Sequence, residues 1–344
     1  MSGRRSPRRV AILNGFGMTL GDGVIGLSAL AAAREAGTLA DRQPILVRKP
    51  LFGRRLVKAL YVAARPLAPT AWFPYRAALP RPFEDRIDIR EFAFDPAFRG
   101  VAMVDYFLKH LGAEPASIPS AARRNLWLAR AIRPRRPQFL PPRYILVCPR
   151  AALALRSMPE LFHASILEHL LALQDLPIVT QGRPKRRHRR LIHCPAVASL
   201  AELAGLVAGA RCIISTDTAI AHLADAWSVP TLAFFVTHRP EWRVRDYPYC
   251  RACHLPAALP PALEFPRDPG DLALAEAAWF APGRDLAWLE PLLRDVLTSQ
   301  RGTPCGLTFS NSLHIGDRAL RARGAPCAFV AWPQLSPLIE RNTA

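Results

Sequence analysis

One stretch, residues 212–235, limits what this chain can become. Two short apolar runs, Cys212–Ile214 and Thr231–Phe235, have the length of buried parallel strands. Ser215, Thr216 and Asp217 bound the first and Pro230 precedes the second. Between them the apolar period changes: Ile220, Leu223 and Trp227 recur at helical spacing, while Thr218, His222 and Asp225 share another face. Ser215, Thr216 and Asp217 can all cap a helix start. The reading is strand, capped helix, strand. A helix N-terminus with its partial positive charge then opens at the C-terminal end of a buried strand, which is where open α/β sheets hold phosphate-bearing ligands.

The same grammar appears earlier, on the far side of a basic, proline-rich linker at Arg133–Pro142. Upstream of it, Arg9–Asn14 reads as a strand, Gly15–Gly21 as a glycine-rich loop, and Asp22–Glu35 as a helix ended by Gly37. In that helix Val24, Leu27, Leu30 and Ala31 share a face. Pro44–Val47 is the next strand and residues 51–64 the next helix. Pro66–Pro96 is irregular, with a short strand at Ala71–Phe73. Helices follow at Phe98–Leu111 and Ala121–Ile132. Downstream, Tyr144–Cys148 is a strand, Glu160–Leu173 a helix, Pro177–Thr180 a strand and Leu200–Val207 a helix. After Phe235 the chain is loop-rich until a helix at Asp285–Leu297. No internal repeat is visible. Two such α/β halves facing each other make a cleft, the usual place for a ligand.

Length and charge narrow the partners. The chain has 344 residues, enough for two domains with separate cores. Half of it is hydrophobic, which excludes a disordered chain, and no segment reaches the roughly 18 apolar residues of a membrane span. The net charge of +19 calls for an anionic partner: nucleic acid, acidic lipid or a phosphorylated substrate. Gly15, Gly17, Gly21 and Asp22 interrupt any signal-peptide core behind the early arginines. Seven scattered cysteines fit a reducing compartment, so a cytoplasmic location is expected.

Four constellations carry chemistry besides residues 217–222. Gly15, Gly17 and Gly21 loosely match a dinucleotide fingerprint, but Asp22 stands where a pyrophosphate would rest. Arg48 and Lys49, not an acid, follow the second strand, so only an NADP form of that reading survives. A carboxylate at the cleft suits a general base on an acceptor hydroxyl; the alternative for Asp22 is a plain helix N-cap. Arg156 lies in the loop after the strand Tyr144–Cys148, where one or two cations would face the cleft, and its guanidinium matches phosphate oxygens. The run Lys185–Arg190 reads as a solvated loop or membrane-facing surface, with substrate or nucleic-acid contact as alternatives. Cys250 and Cys253 have the spacing of half a metal knuckle, which needs a second pair; Cys305 and Cys327 lack that spacing.

Taken in order, these pieces resemble glycosyltransferase family 9, the ADP-heptose:lipopolysaccharide heptosyltransferases. Leu20-Gly21-Asp22, followed by a Leu- and Ala-rich helix, is similar to the family's N-terminal loop. Arg156-Ser157-Met158-Pro159 is similar to its Lys-x-Trp-Pro element. Asp217-Thr218-Ala219-Ile220-Ala221-His222, with Pro230-Thr231 after it, is similar to its Asp-Thr-Gly-x-x-His signature, and Cys250-x-x-Cys253 recurs in many members. The resemblance spans roughly residues 9 to 300. It implies a GT-B fold, two Rossmann-like domains facing across a cleft: an acceptor-side domain at 1–140, a donor-nucleotide domain at 141–303, and a tail at 304–344 left unplaced.

The resemblance further implies inverting transfer of a heptose or other hexose-like sugar from a nucleotide-sugar donor to a lipopolysaccharide or other envelope polysaccharide hydroxyl. Asp22 would be the base, with Thr19 and Gly21 in the acceptor-side loop. Arg156 would stabilise the leaving diphosphate, and Asp217, Thr218, Ala219 and His222 would hold the donor. No cofactor is required, and cationic loops would touch the anionic inner membrane peripherally. Arg for Lys at 156, Met for Trp at 158 and Ala for Gly at 219 depart from the pattern, as do Ala151, Ala152 and the basic loop after Gln181-Gly182. The donor is therefore left open. Two other readings stand beside this one: an NADP-dependent oxidoreductase, and a non-enzymatic basic protein that binds membrane or nucleic acid.

Overall fold

The computed structural model describes residues 7–49, 54–72, 85–98, 100–182, 184, 187–301 and 313–314. Phe73, Lys185, Arg186, Cys305, Cys327 and most of the tail lie outside them, as does the start of the helix expected at 51–64.

The first unit contains β1 (Arg8–Leu13), α1 (Leu20–Glu35), β2 (Arg42–Arg48), α2 (Arg55–Ala63), β3 (Thr70–Trp72), β4 (Asp85–Asp88), α3 (Met103–His110) and α4 (Leu126–Ala131). Its strands form a parallel sheet in the order β3-β2-β1-β4. The second unit contains β5 (Ile145–Cys148), α5 (Glu160–Leu173), β6 (Ile178–Thr180), β7 (Leu191–His193), α6 (Leu200–Gly209), β8 (Cys212–Thr216), α7 (Ala219–Ala226), β9 (Thr231–Phe235), β10 (Cys250–His254), α8 (Pro269–Phe280), α9 (Leu289–Thr298) and β11 (Leu313–His314). These strands form a second parallel sheet, ordered β11-β10-β9-β8-β5-β6-β7. The chain thus has the expected GT-B organisation.

Both sheets reverse direction once. In the first, β2 and β3 step away from β1 on one side and β4 pairs on the other. In the second, β6 and β7 step away from β5 while β8, β9 and β10 build outward on the opposite side. A crevice opens beyond the strand ends at such a switch point, because the flanking helices diverge there. The loops after β1, β5 and β8 all leave from these points.

Strand alternation distributes the core. Ile145 and Val147 of β5 pack with Phe162, Ile178 and Ile214 on one face of the second sheet. Leu146 and Cys148 point the other way, into a cluster that continues through Ile213, Leu223 and Ala224 to Val24, Leu27 and Leu30 of α1. The two units therefore do not have separate cores: α1 and α7 pack together, and the larger core runs between the sheets. For the same reason the face of α7 carrying His222 and Asp225 is not solvated. Both residues are buried, along with Ile220 and Leu223, whereas Trp227 is half-buried.

Departures from the sequence reading have local causes. Gly100, at φ +85°, breaks the helix expected at Phe98–Leu111, so Phe98 closes a 3-10 turn and α3 starts at Met103. The helix expected at Ala121–Ile132 is a 3-10 turn at Ser120–Arg123 followed by the shorter α4. The loop-rich stretch after Phe235 holds β10 and α8, the latter capped by Asp268, whose carboxylate accepts from the Gly270 and Asp271 amides at 2.7 and 3.2 Å.

The linker is docked rather than loose. The Arg135 amide donates to the Ala201 carbonyl at 2.8 Å, and this brings the linker backbone onto Gly205 of α6. A Cβ at Gly205 would overlap the Arg135 carbonyl and lie 2.9 Å from the Arg136 nitrogen. Helix propensity favours Gly205→Ala by about 1 kcal/mol. Overpacking against backbone costs about 1–3 kcal/mol. The close approach wins, so this variant melts below the parent in a thermal unfolding scan; a higher melting temperature would show that the linker moves aside freely.

Candidate active site

The switch points of the two sheets face each other across a cleft of about 570 Å³, within the usual size of small-ligand sites. The cleft gathers Thr19, Gly21 and Asp22 from the first unit and Arg156, Asp217, Thr218, Ala219 and His222 from the second. These are the eight residues singled out from the sequence.

On the first side, the Thr19 hydroxyl caps α1 by accepting from the Asp22 amide at 3.1 Å. Asp22 is therefore not the N-cap. It sits in the first turn, and among the described residues nothing hydrogen-bonds or ion-pairs its carboxylate. Gly21 is where the units meet most closely: a Cβ there would lie 3.2 Å from His222 Cδ2 and 3.7 Å from Ala219 Cα. The N-termini of α1 and α7 thus converge on one volume, and their partial positive charges add.

The glycine loop does not make a dinucleotide cradle. Asn14, Gly15, Phe16 and Gly17 all have positive φ, and Phe16 is buried against Gly26 of α1. Arg48 is 1% exposed. Its guanidinium donates to the carbonyls of Asn14, Gly15 and Gly17 and stacks on Tyr61, with the carbon 3.8 Å from the ring centroid. Arg48, one of the two cations that kept the NADP reading open, is occupied in closing the loop.

On the second side, Arg156 ends a 3-10 turn in the loop after β5, and its Nη1 donates to Asp217 Oδ2 at 3.2 Å. Its backbone carbonyl accepts from the Thr216 hydroxyl, which ties the β5 loop to the end of β8. Burial opposes the charge on Arg156, but Asp217, Glu264 and Asp22 together raise its pKa. The Asp22 carboxylate on one unit and the Arg156 cation on the other are thus within electrostatic reach. Burial likewise pushes Asp217 up; Arg156 first, then His238, Arg243 and His222, more than offset it and hold the carboxyl down at about 2. Burial lowers His222 to about 4 and His238 to about 3, so both are neutral at pH 7, and Arg156, the larger contributor, and Arg243 are the charges that hold Asp217 down there. Thr218 caps α7, accepting from the Ile220 amide at 3.2 Å, and Ala219 takes the first helical position with ordinary helical backbone.

Several residues of this region carry no sequence pattern. Arg150 and Arg243 line the cleft with Arg156, so three guanidiniums face it. His238 Nδ1 lies 3.4 Å from Asp217 Oδ2. Glu264 has its pKa raised by burial, against the pull of Arg156. Pro195, Ala196, Val197 and Leu203 form an apolar wall at one end, with Gln181 beside it. Arg243, His238 and Glu264 leave irregular loops, where no periodicity marks them; Arg150 stands two residues beyond a strand end, the signal that pointed to Arg156.

Two expectations change. Arg190, from the basic run, is committed to the C-terminus of α5: it donates to the Leu171 carbonyl at 2.6 Å and to the Gln174 carbonyl, and pairs with Asp175. Cys250 and Cys253 are both on β10, three residues apart and so on opposite faces of the sheet. Cys253 joins the core beneath α8 and α9, whereas Cys250 packs with Tyr247 and Phe235. They cannot share one metal ion, and no group of three or more His, Cys, Asp or Glu side chains gathers to hold one among the described residues. No helix of the described residues is long and apolar enough to cross a membrane.

Two parallel α/β units with an anion-friendly cleft between their switch points define a protein of GT-B architecture. Residues 187–250 match the model of glycosyltransferase family 9 (heptosyltransferase). That segment includes the whole Asp217–His222 signature, and there the family resemblance and its glycosyltransferase class are borne out. Similar solved structures include the E. coli heptosyltransferase WaaC with ADP, at 16% identity over 72% of this chain and 93% of that one, with a TM-score of 0.45. They also include E. coli ADP-heptose lps heptosyltransferase II, at 12% identity over 79% and 99%, with a TM-score of 0.44. A glycosyl transferase family 9 structure from Veillonella parvula DSM 2008 matches at 12% identity over 72% and 86%, TM-score 0.45. No curated protein matches the chain.

Proposed function

We propose that the protein is an inverting glycosyltransferase that moves a sugar from a nucleotide-sugar donor to a hydroxyl of a lipopolysaccharide or related envelope polysaccharide. The observation that carries this reading is the pairing across the cleft: a carboxylate unpaired among the described residues, Asp22, faces a half-buried guanidinium, Arg156, with two helix N-termini between them.

Asp22 takes the proton of the acceptor hydroxyl as that oxygen attacks the anomeric carbon from the face opposite the leaving group. The bond from that carbon to the diphosphate breaks, and its electrons pass to a phosphate oxygen. Arg156, Arg150 and the α7 N-terminus are the groups that meet this developing charge. Stabilising it in this way does not require a metal. Asp217 is ionised and would repel a phosphate, so its part is to hold Arg156 and to accept from a sugar hydroxyl. Thr218 and Ala219 present the helix N-terminus to the diphosphate. The apolar wall from Pro195 to Leu203 suits a nucleobase. On this reading residues 1–140 serve the acceptor and 141–303 the donor, and the net charge of +19 favours the anionic inner face of a membrane.

A thermal-shift screen tests it. A donor present at 100 times its Kd stabilises the native state by about 2.7 kcal/mol. One nucleotide sugar from a panel of ADP-, GDP- and UDP-linked sugars should therefore raise the melting temperature by a few degrees, and NADPH should not. A shift with NADPH alone would favour the oxidoreductase, and a flat panel would favour a non-enzymatic binder.

A further inference from the structure

His222 is fixed from two sides by groups outside its own helix. Its Nδ1 lies 2.9 Å from the Tyr247 hydroxyl oxygen. Its backbone carbonyl accepts from Asn125 Nδ2 at 3.1 Å. Asn125 immediately precedes α4 of the first unit. Its side-chain oxygen accepts from Ser28 of α1 at 2.6 Å, and its Nδ2 also reaches Asp225 at 3.1 Å. The ring edge carrying Cδ2 and Nε2 is left toward the cleft, against Gly21 at the start of α1.

Which ring nitrogen carries the proton follows from the partners. The imidazole is neutral at pH 7, because burial outweighs Asp217. Tyr247 is buried and keeps its phenolic proton, since burial and the nearby Asp225 both disfavour the phenolate. That proton needs an acceptor, since a buried hydroxyl without one is left desolvated and unpaired. Among the described residues the hydrogen-bond partner of this hydroxyl is His222 Nδ1. Donation therefore runs from the Tyr247 hydroxyl to Nδ1, which puts the imidazole proton on Nε2.

We infer that Tyr247 is a positioning residue that locks His222 in the Nε2–H tautomer, so that this N–H is a fixed donor to an anionic oxygen of the substrate in the cleft. The use of that donor rests on the transferase reading; the tautomer does not. A histidine with the opposite tautomer would offer a lone pair to the cleft and repel a diphosphate oxygen. One phenol hydroxyl thus selects anion binding over cation binding at this position.

The test is long-range ¹H–¹⁵N correlation of the imidazoles in the full-length protein, labelled on histidine and without substrate at pH 7. The His222 signals are identified by their loss in His222→Gln. The expected pattern is a protonated Nε2 and an acceptor Nδ1 for His222, replaced in Tyr247→Phe by averaged signals of two tautomers. In transfer assays with the donor found by thermal shift, Tyr247→Phe should lower kcat by about 10- to 100-fold, the range for outer-shell partners of functional groups, with a smaller change in KM. A proton on Nδ1 in the parent protein overturns the inference, as does a Tyr247→Phe variant whose tautomer and kcat are both unchanged. If Tyr247→Phe does not fold, the parent spectrum alone decides. A single Nε2–H tautomer with no sugar-transfer activity would sustain the tautomer lock and sink the transferase reading instead.

Discussion

Asp22→Asn should abolish sugar transfer while leaving the donor bound. The amide cannot accept the hydroxyl proton, and loss of a positioned general base costs about 10²- to 10⁴-fold in turnover. Nothing else in the fold depends on this carboxylate: Thr19 does the capping, and the Asp22 side chain holds no ion pair among the described residues. What disappears is its favourable charge in the first turn of α1, about 0.3–1 kcal/mol of stability. The thermal shift produced by the donor should persist, because the donor-side groups, from Arg156 to His222, belong to the other unit. The measurement pairs a transfer assay with a melting scan on the same preparation. Near-normal turnover in Asp22→Asn would remove the base assignment and leave the cleft as a nucleotide-sugar site of other purpose. Loss of the thermal shift together with activity would mean that Asp22 helps bind the donor rather than activating the acceptor.

How far the sequence alone reaches depends on whether a residue's role is local. β5, α5, β8, α7 and β9 were legible because their apolar residues keep one period between clear caps. Asp22, Arg156 and Asp217 were legible because each stands at a strand end or a helix start, where the fold itself creates a site. β10 was not, since Cys250, Arg251 and Ala252 offer no strand alternation and the strand is held by pairing with β9. α8 did carry its signal, Asp268-Pro269 at the cap and first helical position, but proline-rich flanks on both sides obscured it. Arg48 shows a deeper limit. A basic residue after the second strand is the mark of a 2′-phosphate site, yet the same guanidinium can turn inward and bind three carbonyls, and only the path of the glycine loop decides which. The polar face of α7 was legible as a face, but its burial was not. His222 and Asp225 are buried because α1 and Asn125, distant in sequence, close over them.

The second large effect belongs to Arg156, whose loss should reverse the pH dependence of stability. In the parent protein the Asp217 carboxyl sits at about 2 against an ordinary 3.8. A depressed acid contributes stability that is present above about pH 4 and is lost as pH falls through about 2. The difference corresponds to roughly 2 kcal/mol, at about 1.4 kcal/mol per unit. Arg156→Met keeps the bulk and removes the charge. At neutral pH His238 and His222 are uncharged and cannot take its place. The buried Asp217 is then left without its close counter-charge, and breaking such a pair costs about 3–5 kcal/mol. Burial now dominates and carries the Asp217 pKa above its usual value, which reverses the linkage. The variant should be most stable in mild acid, where the carboxyl is protonated, and should lose stability as pH rises through the new pKa. Urea unfolding at pH 4, 5.5 and 7 reads this directly: the gap between parent and variant should widen with pH. A gap that stays constant would mean that Arg243, also facing the cleft, takes over the charge compensation. The double variant Arg156→Met, Asp217→Asn separates stability from chemistry. It should regain most of the lost stability and the flat pH response, yet stay well below the parent in transfer, because the guanidinium that meets the leaving diphosphate is still missing.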